Sequence, residues 1–186
     1  MRIRKSTKKV VALLSMILIL IFNVIPVFAT DEQDDKGRDT RVAVTSPKVY
    51  MEKIVVYPTY VSNDGSISVY DKGYTYYRSG NNIQGVFCTV TPEQVESMKE
   101  AIRNKGYVQS GYEINVFYKM TGDFRQGMVI TRQPANVPRT PVGPNTTYYT
   151  TFYTDIDNPV LIWDAYFDYL YNNKWGTQLM QASVYF

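Results

Sequence analysis

Tyr112-Glu113-Ile114-Asn115-Val116-Phe117-Tyr118-Lys119-Met120 alternates without a break. Tyr112, Ile114, Val116, Tyr118 and Met120 fall on one side of an extended chain, and Glu113, Asn115, Phe117 and Lys119 on the other. A period of two with one apolar side marks a strand buried on one face and open on the other.

Most of the chain around this strand reads the same way. Residues 49–61 are rich in Val, Ile and Tyr, with Pro58 marking an edge or a bend. Residues 66–70 and 74–78 flank Asp71-Lys72-Gly73, the spacing of a bulged hairpin. Residues 85–90 form a further strand, and 128–132 follow the turn residues Gly122, Asp123 and Gly127 to make a second hairpin with 112–120. Residues 146–154 and 178–186 supply the last two strands.

Thr91-Pro92-Glu93-Gln94 offers a capping hydroxyl, proline at the first helical position and glutamine three residues after the cap. Val95, Met98 and Ile102 make a buried stripe, Arg103 and Lys105 oppose the negative end of the dipole, and Gly106 ends the element. This predicts a helix over 92–105. A second helix is expected over 159–173, between Asn158-Pro159 and Asn172-Asn173, with Asp164, Asp168 and Asn172 as one narrow polar stripe. As a strand the same run sets Leu161, Trp163, Ala165, Phe167, Tyr169 and Tyr171 on one apolar face; its length favours the helix. The fold class is α+β, a predominantly antiparallel sheet of seven or eight strands with these helices packed on it. A helix followed by antiparallel strands resembles cystatin-like curved sheets, a likeness of topology that carries no function.

The amino end has the organisation of a secretory signal. Arg2, Arg4, Lys5, Lys8 and Lys9 precede an apolar run over 10–22, and Val27-Phe28-Ala29 places modest side chains where a signal peptidase reads. An uncleaved anchor is the rival, since 10–29 approaches the length of a bilayer span. Pro26 and the cleavage triplet favour removal of residues 1–29. The remainder is then secreted or held at the cell surface, and the long basic start points to a Gram-positive bacterium. Removal takes five of the 20 cations and none of the 17 acids, leaving a net charge of −2. A basic-protein argument for nucleic-acid binding disappears with the leader, as does contact with the membrane. Residues 30–41 are acidic and lack large apolar side chains, the composition of a disordered tether, and 42–186 make one globular domain.

Catalytic motifs are scarce. There is no histidine, which excludes the commonest general base and the Ser-His and Cys-His pairs. Ser79-Gly80-Asn81-Asn82 is a turn, lacking the lysine of a phosphate loop. Asp155-Ile156-Asp157-Asn158 lacks the glycine and glutamate that complete a calcium loop. Cys88 lies in a strand-like run and reads as a small apolar side chain. No catalytic residue, metal or cofactor is assigned. Asp164 and Asp168, four apart, would share a face of the second helix.

The unusual feature is aromatic: 17 tyrosines, all after residue 49. Tyr74, Tyr76 and Tyr77 form one cluster, and Tyr148, Tyr149, Phe152 and Tyr153 another. In a strand Tyr148 and Phe152 point one way and Tyr149 and Tyr153 the other. Tyrosine is a flat apolar plate with a polar tip, suited to stacking on sugar rings or anchoring a protein. Strand preference with both faces covered would also account for the enrichment. Tyr149, Tyr153, Tyr74 and Tyr76 are the candidate ligand-binding residues. The leading expectation is a non-enzymatic extracellular protein that binds cell-wall or other glycans. The alternatives are a protein-binding module, such as an inhibitor or toxin, acting through the proline-rich residues 134–144, and a carboxylate-based hydrolase. Amino-terminal sequencing of secreted material is expected to begin at Thr30; a membrane-bound product retaining residues 1–29 would contradict cleavage.

Overall fold

The computed structural model describes residues 45–135 and 139–186. The leader expected over 1–29, the tether expected over 30–41 and part of the proline-rich connection lie outside the described residues. Within them the elements run β1 (Lys48–Val61), β2 (Ile67–Val69), β3 (Tyr74–Tyr77), β4 (Gly85–Thr89), α1 (Pro92–Arg103), β5 (Gln109–Thr121), β6 (Gln126–Gln133), β7 (Thr140–Val142), β8 (Thr147–Asp155), β9 (Leu161–Tyr171) and β10 (Lys174–Tyr185).

The strands make two sheets. Sheet A has the order β2-β1-β5-β8, with β3 also paired to β1; sheet B has the order β4-β10-β9-β6-β7. Every pair is antiparallel except β4 with β10. The core lies between them. From sheet A come Val49, Met51, Ile54 and Val56 of β1, the apolar side of β5 and Phe152 of β8; from sheet B come Val129, Leu161, Trp163, Ala165, Phe167, Met180, Ala182 and Val184. Each buried Ile or Val contributes about 1.5–3 kcal/mol on removal from water, so the alternation of β5 is strongly enforced. Aromatic contacts bridge the layers: the Trp163 ring stands 5.4 Å from Tyr118 and 6.2 Å from Phe152.

Helix α1 forms as its cap predicts. The Gln94 N–H donates to Thr91 Oγ1 at 3.3 Å, and the Thr91 N–H donates back to Gln94 Oε1 at 3.0 Å. Met98 and Ile102 are buried, and Gly106 closes the helix at φ +82°, the left-handed region that favours glycine. Six strands follow the helix and are divided between the two sheets, so the likeness to a single curved sheet does not extend to the whole domain.

The second helix is a strand. Residues 161–171 are β9, paired in full to β10. Leu161, Trp163, Ala165 and Phe167 face the core in strict alternation, the pattern the strand reading predicts. Asp164 and Asp168, four apart, satisfy a period of two as well as 3.6, so their spacing cannot discriminate. The turn does. Tyr171 pairs with Lys174, leaving Asn172 and Asn173 as a two-residue loop at φ 49° and 59°. Both central residues of a type I′ hairpin turn need positive φ, which asparagine tolerates best after glycine.

Both expected hairpins are also rearranged. β2 and β3 pair with the same edge of β1 rather than with each other, forming one interrupted edge strand. Pro58 lies at the interruption: its carbonyl accepts the Tyr70 N–H at 3.0 Å, and the N–H it lacks would point to that same side. Thus proline is tolerated in a strand paired on both sides. Residues 122–125 carry the chain from β5 in sheet A to β6 in sheet B, so these two strands are not partners.

Thr91→Ala is expected to cost about 1 kcal/mol in denaturant melts. Gly106→Val should cost more, about 2 kcal/mol, because a β-branched residue resists positive φ. Equal stability of both variants with the parent would contradict the helix end. Burial pushes the Cys88 thiol from 9.0 up to about 12 and the Tyr76 hydroxyl to about 12, and it raises Tyr112 and Tyr118 as well. Each group keeps its proton longer when folded, so its contribution is complete below the unfolded value and lost as pH rises. Stability should therefore fall above about pH 9, and a thiol reagent at pH 8 should label Cys88 only after unfolding. Rapid native labelling with alkali-insensitive stability would contradict this packing.

Candidate functional site

Because β5 buries Tyr112, Ile114, Val116, Tyr118 and Met120, its other side chains must form the outer face of sheet A. Register aligns them with their neighbours in rows. Lys53, Phe117 and Tyr149 make one row, continued by Tyr77; Val55, Asn115 and Thr151 make the next; Tyr57, Glu113 and Tyr153 make a third. A groove of about 670 Å³ opens over this face, lined by Tyr57, Phe117, Tyr149 and Tyr153, by Glu113, Asn115 and Thr151, and by the β2–β3 interruption at Val69, Tyr70 and Asp71.

The groove has a hydrogen-bonded floor. Thr151 Oγ1 donates to Asn115 Oδ1 at 2.6 Å, and Asn115 Nδ2 donates to Glu113 Oε1 at 2.8 Å. The Tyr153 hydroxyl donates to Glu113 Oε2 at 2.8 Å, and the carboxylate beside it holds that hydroxyl above its ordinary value. Asn115 is buried and engaged at both ends of its amide, which orients the row. Above the floor stand two exposed plates, Tyr149 at 64% and Tyr153 at 65% accessibility, with Tyr149 and Phe117 rings 5.4 Å apart. The arrangement offers flat apolar rings beside oriented polar groups.

The four tyrosines singled out in the sequence separate. Tyr149 and Tyr153 lie together on the groove. Tyr74 and Tyr76 pair with the buried Val56 and Ile54 and pack on the core; the Tyr76 hydroxyl donates to Gln94 Oε1 at 2.7 Å, joining β3 to the capped helix end. Tyr148 and Phe152 point inward, Phe152 into the core and Tyr148 with its oxygen accepting the Gly143 N–H at 2.7 Å. Glu113, Asn115, Phe117 and Thr151 join the site only through strand register, and Tyr57, Tyr70 and Asp71 through the way β1 meets its interrupted edge. The open side of the alternation in 112–120 was the available signal for three of them.

Asp164 and Asp168 stand on the outer face of sheet B. Four residues apart along a strand they are separated by about 13 Å, beyond the reach of a paired acid and base on one bond. Asp168 accepts from Thr177 Oγ1 at 2.7 Å. No cluster of His, Cys, Asp and Glu suited to a metal ion occurs among the described residues, Asp155 and Asp157 included.

No family model matches this chain and no curated protein matches it, so a reading of its function rests on the residues of this groove.

Proposed function

We propose that this is an extracellular, non-enzymatic binding protein that recognises cell-wall or other glycans on the outer face of sheet A. The observation that carries the reading is the pairing of exposed aromatic plates, Tyr149 and Tyr153, with the hydrogen-bonded chain Thr151–Asn115–Glu113 in one groove. A sugar ring presents an apolar C–H face to an aromatic plate and hydroxyls at its rim to polar groups. The ordered floor helps, because side chains already held by one another lose little freedom when a ligand arrives. The leader over 1–29 agrees with a ligand met outside the cell.

Replacing both Tyr149 and Tyr153 by Ala should weaken retention on cell walls or insoluble polysaccharide at least about fivefold, from about 0.5–1.5 kcal/mol per exposed ring. Folding should survive, since both rings are mostly in water. Phe152→Ala, its ring in the core, should instead cost about 3–5 kcal/mol of stability. Unchanged retention per folded molecule in the double variant would remove the proposed surface.

A further inference from the structure

Resting on that reading, we infer that the groove selects glycans bearing free amino groups, such as N-deacetylated amino sugars, and seats the ammonium at the Tyr57–Glu113–Tyr153 row. The lining contains two carboxylates, Glu113 and Asp71, and neither lysine nor arginine. Among the described residues neither carboxylate has an ion-pair partner, the single pair being Lys99 with Glu96. A partly enclosed carboxylate without a cation favours a ligand that brings one.

The direction of the floor bonds makes the same selection. Thr151 donates to Asn115, and Asn115 and Tyr153 both donate to Glu113. The hydroxyl hydrogens of Thr151 and Tyr153 and one of the two Asn115 amide hydrogens are spent within the protein, and Asn115 itself is buried. Lone pairs are left over: two sites on the Glu113 carboxylate, and the oxygens of Thr151 and Tyr153. This end of the groove therefore asks for donors. An ammonium supplies three. An N-acetyl group supplies one N–H and a carbonyl oxygen, which would meet acceptors where it needs a donor.

The aromatic walls suit a cation as well. Tyr57 and Tyr153 flank Glu113 on the adjacent strands, about 10 Å apart by strand spacing, with the carboxylate between them. Tyr153 meets Glu113 through its hydroxyl tip, and an aromatic face beside such a site attracts positive charge. The chain already uses neighbouring rings in this way: Lys53 Nζ lies 4.8 Å over Phe117, and Lys105 Nζ lies 4.6 Å over Tyr70. Neither displaces the proposed ligand. Phe117 is four residues from Glu113, about 13 Å along β5, while Lys105 and Lys72 line a separate cleft that shares only Tyr70 with the groove.

Calorimetry with two oligosaccharides of equal length, a glucosamine hexamer and an N-acetylglucosamine hexamer, tests the inference on the chain without residues 1–29. The glucosamine hexamer should bind at least about tenfold more tightly, with a preference that shrinks in high salt. Glu113→Gln combined with Asp71→Asn should remove most of the preference, read as the ratio of the two affinities. Asp71→Asn alone, at the exposed rim, should remove part of it. Equal or tighter binding of the N-acetylated hexamer, still lost on replacing Tyr149 and Tyr153, would overturn the ammonium seat and leave the glycan reading intact. A preference that persists in the double carboxamide variant would also overturn it. Pentalysine bound as tightly as the glucosamine hexamer would overturn the assignment of the amine to a sugar. Binding of neither hexamer would remove the glycan reading and this inference with it.

Discussion

A strand cannot be shifted by one residue without exchanging its faces, and this constraint on β5 governs the rest of the molecule. A slip would carry Glu113 and Lys119 into the core and put Ile114, Val116 and Met120 in water. Each lost apolar contact costs about 1.5–3 kcal/mol, and a buried unpaired carboxylate costs more. The core therefore holds the register of β5 against β1 and β8. That register is also what sets Tyr57, Glu113 and Tyr153 in one row and Asn115 beside Thr151. The groove is a by-product of packing on the opposite face.

The two sheets divide the work. Sheet B, with Trp163 and Phe167 fully buried, closes the core from one side. Sheet A contributes its inner face to that core and keeps its outer face open. The interrupted edge of β1 gives the groove its wall: where β2 and β3 fail to meet, Tyr70 and Asp71 stand over the sheet. Pro58 belongs to the same feature, since the break is where a residue without an N–H costs least.

Much of this was legible in the residues. The cap at Thr91, the stop at Gly106, the half-buried strand at 112–120 and the opposed pairs in 146–154 all rest on local rules, and local rules act within a few residues. The run 161–171 suggests a helix by its length, and two acids four apart fit either period; the signal that decides for a strand is Asn172-Asn173 as a two-residue turn at positive φ. The hairpins failed for a different reason. Nothing within 66–78 shows that its two halves would each prefer β1, and nothing near Gly122 shows that the chain changes sheets. Tyr74 and Tyr76 were indistinguishable by type from Tyr149 and Tyr153, because only the partner strand decides which face is wet. The site itself depends on cross-strand neighbours, a property of pairing between residues more than 30 apart in the chain.

Residue-resolved NMR of the folded domain, titrated with soluble fragments of cell-wall glycan, addresses the central claim most directly. Shift changes confined to Tyr57, Glu113, Asn115, Phe117, Tyr149, Thr151 and Tyr153, with the core rings of Trp163 and Phe152 unmoved, are the predicted result. Changes centred on the outer face of sheet B, around Ile162 and Trp175, or saturating binding that leaves the rows of sheet A untouched, would contradict it.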